Sequence, residues 1–148
     1  MNPKMILTDL DKTLLRSDGS ISEHTKQVLK KCQTRGILIV IATARYWIGA
    51  ERCIEEIQPD YEITTDGTLI HQRGKQIYSC SMDTDAANQI IFGDDANDVE
   101  MLQICGTGVA VSNAVMEAKA AADYVTRSND EDGVADWIEK NILATTSG

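Results

Sequence analysis

Between Gly36 and Thr43 the chain runs Ile37-Leu38-Ile39-Val40-Ile41-Ala42 without one polar side chain. A strand that is apolar on both faces needs cover on both, which a parallel sheet clad in helices provides and a sheet with one wet face does not. Parallel neighbours must be joined by crossover helices, so strand-like and helix-like segments have to alternate along the chain.

They do alternate. Met5-Ile6-Leu7 reads as a first strand, and "SISE" at 20–23 has the form of a capping box with Ser20 as N-cap. A helix over about 21–35 follows, with Ile21, Val28, Leu29 and Cys32 on its buried side and Gly36 at its C-terminal cap. After the 37–42 strand, Trp47, Ala50, Ile54 and Ile57 recur at helical spacing until Pro59 ends the helix. "YEITT" at 61–65 is a third strand, 68–79 reads as a β-hairpin turning near Arg73-Gly74, and "QIIFG" at 89–93 is a fourth parallel strand. A helix over about 96–104, the strand "TGVAV" at 107–111, a helix near 113–121, a short strand at Tyr124-Val125 and a helix over about 131–143 complete the series; the tail "ATTSG" is expected to fray. The expectation is one domain, 1–148: a Rossmann-like, doubly wound, mainly parallel α/β sheet with a hairpin insertion. The segment 80–88 fits least well, because it is too short and too polar for a crossover.

Composition narrows the function classes. At 148 residues the chain can bury a core without staples. A net charge of −9 argues against a nucleic-acid groove, which needs clustered Lys and Arg. No apolar stretch approaches the roughly 20 residues of a membrane span. The N-terminal "MNPKM" lacks the order of a signal peptide, so a cytoplasmic location is expected. Cys32, Cys53, Cys80 and Cys105 form no C-x-x-C pair and read as reduced packing residues.

In doubly wound sheets ligands bind beyond the carboxyl ends of the strands. Those ends carry Asp9 and Asp11, then Thr43, then Asp66, then Asp94, Asp95, Asn97 and Asp98. Aspartate is common in turns and at helix N-caps, so each side chain alone has a structural reading, and Asp95 fits a cap. Four polar strand ends together point to a site. Several carboxylates on one edge repel each other, and a cation relieves that; all-oxygen ligands without His or Cys select a hard ion, Mg2+. His24 and His71 read as surface residues, Trp47 and Trp137 as packing. Asp66 is balanced between turn and site wall, and Arg45 between substrate contact and exposed helix start.

"DLDKTLL" at 9–15, "ATAR" at 42–45, "TTDGTLI" at 64–70, "FGDDANDVEML" at 92–102 and the stretch 108–140 resemble, in that order, the haloacid dehalogenase superfamily and most closely its Cof-type sugar-phosphate phosphatase branch. The resemblance implies a Mg2+-dependent phosphohydrolase acting on phosphate monoesters, with a small phosphorylated substrate. Asp9 maps onto the nucleophile that forms an aspartyl-phosphate, and Asp11 onto the general acid and base. It further implies Mg2+ held by Asp9, the Asp11 carbonyl, Asp94 and Asp98, and phosphate bound by Thr43, Ala44 and Asn97. Asn97 and Asp98 would orient the metal shell.

The chain departs from the pattern twice. The family's Cof-type members carry a cap domain between the segments matching 66–68 and 93–98, where this chain has only about 20 residues. The same gap removes the helix bearing the family's phosphate-neutralising lysine; Lys75, the only lysine between Thr43 and Asp94, lies in the hairpin. Without a cap, specificity is expected to be poor or to come from a partner, and the 68–79 hairpin is a candidate homo-oligomer contact. The alternative reading is a cap-deleted core that binds Mg2+ and phosphate but turns over weakly or not at all. A response-regulator receiver also uses acids at strand ends, but "DLD" is not its adjacent acidic pair, and no lysine follows "GVAV" where it needs one.

Overall fold

The structure is a computed structural model that describes residues 2–45, 47–64, 69–72, 75–77 and 88–144. Asp66, Cys80, the hairpin tip at Arg73-Gly74, nearly all of the 80–88 segment and the last four residues lie outside the described residues, as does the side chain of Trp47.

Among the described residues eight strands form one sheet: β1 (Met5–Thr8), β2 (Leu38–Ala42), β3 (Tyr61–Thr64), β4 (Leu69–Gln72), β5 (Lys75–Ile77), β6 (Gln89–Gly93), β7 (Thr107–Val111) and β8 (Tyr124–Thr126). Their order across the sheet is β5-β4-β3-β2-β1-β6-β7-β8. All neighbours are parallel except β4–β5, the expected hairpin, and β3–β4, an antiparallel pairing that the sequence did not indicate. The run that demanded two covered faces is β2, in which Ile39, Val40 and Ile41 are fully buried. β1 lies between β2 and β6, with Leu7 opposite Val40 on one side and Ile91 on the other. The chain therefore winds outward in both directions from β1. That reversal opens a crevice at the carboxyl end of β1, where such folds bind ligands.

The helices are α1 (Glu23–Thr34), α2 (Trp47–Ile57), α3 (Val99–Ile104), α4 (Met116–Ala121) and α5 (Gly133–Ile138), the last widening into a looser turn over Glu139–Leu143. α1 packs on α2 and α5, and α3 packs on α4. Trp137 of α5 is buried and meets Phe92 of β6 edge-on, ring centres 5.6 Å apart, so it is a packing residue as expected. Cys32 is buried, Cys53 and Cys105 are half-buried, and all three are free thiols.

Four expectations are corrected. The N-cap of α1 is Ser22, whose hydroxyl accepts the Thr25 N–H at 3.0 Å, and not Ser20. Ser20 is taken by a competing turn: its N–H and hydroxyl both donate to Asp18, at 2.9 and 2.6 Å, across the left-handed Gly19. α4 starts at Met116 rather than near 113, because Asn113 is used in a long-range contact described below. The final helix begins at Gly133; Asn129–Glu131 form a separate 3-10 turn, and the chain passes through a left-handed Asp132 first. A side chain at 133 would meet the Arg127 carbonyl oxygen at 2.0 Å, which requires glycine there. Finally, His24 is on the surface beside Glu139, but His71 is buried, standing on β4 directly opposite the buried Glu62 of β3.

Candidate active site

β1 ends at Thr8, and Asp9 follows with extended backbone, its N–H still donating to the Phe92 carbonyl of β6 at 3.3 Å. Leu10 turns fully into the core while Asp11, again near-extended, faces out, so the two acids flank an apolar anchor. The chain then takes a left-handed step at Lys12 (φ 59°) and buries Thr13 and Leu14. This turn is fixed from far away in sequence. The Thr13 hydroxyl donates to Asp94 at 2.8 Å, the Asn113 amide donates to the Lys12 carbonyl at 2.8 Å, and the buried Asn129 amide donates to the Leu15 carbonyl at 3.0 Å. Asn113 in turn accepts the Asn129 N–H at 3.0 Å, which is why it cannot begin α4.

The second acidic turn follows β6. Asp98 bends back so that one carboxylate oxygen accepts the N–H groups of Asp94 and Asp95, at 2.9 and 3.0 Å, while Asp95 caps the 3-10 turn Ala96–Asp98. The reversal is close: a side chain on Gly93 would meet the Cβ of Asp98 at 2.7 Å. Asp94 and Asp98 are buried and Asn97 is exposed.

One ligand oxygen from each of Asp9, Asp94 and Asp98 lies within 4.8 Å of the others, a spacing and donor set that fits a hard divalent cation. Burial first, then the Asp98 charge and a hydrogen bond to Asp94, push the Asp9 carboxyl up to about 8. Burial raises Asp94 as well, although the Thr13 hydroxyl works against it.

A cavity of about 780 Å3 is lined by all the side chains anticipated at the strand ends that the structure describes: Asp9, Asp11, Thr43, Ala44, Asp94, Asp95, Asn97 and Asp98. A second cavity of about 810 Å3 lies at the opposite, amino end of β3 between α1 and α2, far from this convergence of acids. We take the strand-end cavity as the site because chemistry, not volume, decides.

Arg45 also lines it, and it is half-buried there rather than an exposed start to α2. Its guanidinium pairs with Asp11 in a two-point fork, Nε at 2.7 Å from one carboxylate oxygen and Nη2 on the other, while Nη1 donates to the Gly49 carbonyl at 2.9 Å. The hydrogen bond and charge of Asp11 raise its already high proton affinity, with Asp9 adding a smaller share. "ATAR" places Arg45 two residues after the strand-end Thr43, but nothing local names Asp11, 34 residues away, as its partner. The roles of Thr13, Asn113 and Asn129 had no local signal, since each bridges segments about 80 to 115 residues apart.

A doubly wound domain with its acids gathered where the winding reverses defines a class of Rossmann-like, metal-fitting sites. The model of the haloacid dehalogenase-like hydrolases matches residues 6–92 and 85–138, and the chain belongs to that family, in its Cof-type branch. It is 45% identical over 51 residues to the Bacillus subtilis 5-amino-6-(5-phospho-D-ribitylamino)uracil phosphatase YitU, covering 34% of this chain and 19% of that protein. With the chloroplastic endoribonuclease YBEY of Arabidopsis thaliana it shares 32% identity over 137 residues, 90% of this chain and 22% of that one. The chain thus spans between about a sixth and a third of the length of the curated relatives it matches. Among solved structures, a haloacid dehalogenase-like hydrolase from Bacteroides thetaiotaomicron superposes with a TM-score of 0.84 over 93% of this chain and 99% of that one, at 20% identity. The subclass IIB sugar phosphatase BT4131 gives 0.79 over 93% and 98%, at 18% identity. These superpositions establish the fold.

Proposed function

We propose that the chain is a Mg2+-dependent phosphohydrolase that cleaves phosphate monoesters through an aspartyl-phosphate on Asp9. The observation that carries this reading is the meeting of Asp9, Asp94 and Asp98 within 4.8 Å, in the cavity that Asp11 and Thr43 also line. Asp9, Asp94 and Asp98, with the Asp11 carbonyl, are the residues to hold the ion. Bound there, Mg2+ supplies charge that offsets the carboxylates and the phosphoryl group. An Asp9 oxygen attacks phosphorus and the ester P–O bond breaks as Asp11 gives its proton to the leaving oxygen. Asp11 then takes a proton from water, the water oxygen attacks the same phosphorus, and inorganic phosphate leaves with the Asp9 carboxylate restored. The Thr43 hydroxyl and the turn at Ala44 hold phosphoryl oxygens, and Asn97 closes the outer rim. The names of YitU and BT4131 support phosphorylated sugars and sugar alcohols as the substrate class. We further read the chain as one domain, 1–148, in the cytoplasm, with 80–88 standing where relatives have a cap and the β4–β5 hairpin as a contact between copies.

A second reading is favoured by the missing lysine and by the capture of Asp11 by Arg45: a core that binds Mg2+ and phosphate with little turnover. One experiment separates them. Hydrolysis of p-nitrophenyl phosphate with Mg2+, abolished in Asp9→Asn, is the expected result. No turnover above that variant at high enzyme concentration, with Mg2+ still raising the melting temperature beyond NaCl of equal ionic strength, overturns the first reading in favour of the second.

A further inference from the structure

Among the described residues only two cations line the acidic cavity, Lys12 and Arg45. Lys75 is out of reach: β4, β3 and β2 separate β5 from β1, about 19 Å at the usual strand spacing. A phosphoryl dianion entering beside Asp9, Asp11, Asp94 and Asp98 needs a neutralising charge, and of the two cations in the cavity Arg45 is the one whose charged group the structure fixes against these acids.

We propose that Arg45 is that cation, and that it works by exchange: it grips Asp11 while the site is free of phosphate and transfers its guanidinium to the phosphoryl oxygens when phosphate arrives. The inference rests on the reading of the site as phosphate-binding. Four features carry it. Arg45 and Thr43 belong to one turn after β2, joined by the Arg45 N–H donating to the Thr43 hydroxyl at 3.2 Å, so the guanidinium and the phosphate-binding hydroxyl approach the cavity from the same side. The pair with Asp11 is partly open to water, the side chains 35% and 48% exposed, so little is lost on breaking it. A phosphoryl dianion presents the same two-oxygen geometry with more charge, which a planar guanidinium fork favours. Nη1, anchored on the Gly49 carbonyl of α2, gives the group a pivot.

The exchange also resolves a conflict. While Arg45 holds both oxygens of Asp11, its fork competes for them with the leaving oxygen of a substrate. Phosphate binding thus sets Asp11 free only when there is something for it to act on.

The test is calorimetric titration of inorganic phosphate into the full chain with saturating Mg2+, for wild type, Arg45→Lys, Arg45→Ala, Asp11→Ala and the Arg45→Ala/Asp11→Ala double variant. The rise in melting temperature in Mg2+ over that in NaCl of equal ionic strength serves as the check that each variant is folded with its metal site intact. Arg45→Ala should weaken phosphate binding roughly 10-fold or more, and Arg45→Lys by much less. Asp11→Ala should tighten binding by releasing Arg45, and most of that gain should vanish in the Arg45→Ala background, where only the general loss of repulsion remains. Phosphate binding unchanged in Arg45→Ala, or an Asp11→Ala gain that is the same with and without Arg45, overturns the exchange while leaving the phosphate site standing. No phosphate binding by the wild-type chain overturns the site reading and the exchange together.

Discussion

The Asp9 carboxyl, held up to about 8 beside Asp94 and Asp98, binds a proton in the folded chain that an unfolded chain, with its ordinary value of 3.8, has already released. Between those two values the native state carries more protons than the unfolded one, so the contribution of Asp9 to stability falls as pH rises from about 4 to about 8. Asp18, Asp130 and Asp132 act in the opposite sense and lower down. Hydrogen bonds from Ser20 and Ser17 hold the first two below their ordinary value, and the Arg16 pair holds the third there against burial. Their stabilising contribution is present above about 4 and lost beneath it. Metal-free protein should therefore melt at progressively lower temperature as pH is raised from 4 to 8, and Asp9→Asn should flatten that slope. Thermal scans of both proteins in EDTA test this; an unchanged slope in Asp9→Asn refutes the assignment. Thr13 makes a second residue-scale case. Its hydroxyl is buried and donates to Asp94, so Thr13→Val removes a charge-assisted bond from a largely buried carboxylate. Urea titration should show a loss of about 1–3 kcal/mol.

At the scale of elements, the turn after β6 is built by the missing side chain of Gly93. Asp98 folds over that position to collect two backbone N–H groups, its Cβ, Cγ and Oδ2 all standing within 2.8 Å of where a Cβ would be. Gly93→Ala must push Asp98 away, so it should weaken Mg2+ binding at least tenfold and cost about 1–3 kcal/mol. Gly49 in α2, with nothing within 4 Å of its would-be Cβ, is the matched control. There alanine should be neutral or should stabilise by about 0.5–1 kcal/mol through helix propensity. Mg2+ calorimetry and denaturant titration on the two variants distinguish a specific cradle from general sensitivity to glycine replacement. Elements of this kind differ in how far sequence reveals them. β2 and β6 were legible because a continuous β-branched run has few alternatives, and the acids after them followed from the position of the strand ends. Ser20 misled because Asp18-Gly19 offers its backbone a better turn than a helix start. His71 misled because its burial depends on which strand lies opposite, a fact no local window contains.

Across the whole molecule, the site draws on the turn after β1, the turn after β2, the turn after β6 and Asn113 beyond β7, which a single cavity unites. Sequence showed which acids would gather. It could not show that the β1 turn is pinned by Asn113 and Asn129, nor that Arg45 would spend its charge on Asp11, because those contacts exist only once the sheet order is set. An ion held by Asp9 and Asp94 bridges β1 and β6, two strands that unfolding must separate, so Mg2+ should stabilise the fold globally and not one loop. Binding to the native state alone adds about 2.7 kcal/mol at a hundredfold excess over Kd. With a net charge of −9, however, any salt relieves self-repulsion, and a rise in stability with Mg2+ is by itself ambiguous. The discriminating measurement is urea unfolding in Mg2+ against NaCl of equal ionic strength, for wild type and Asp94→Asn. A site-bound ion predicts a higher midpoint with an unchanged m-value in Mg2+ only, lost in Asp94→Asn. Equal shifts in both salts, or a Mg2+ shift that survives Asp94→Asn, would assign the effect to screening and remove the metal from this site.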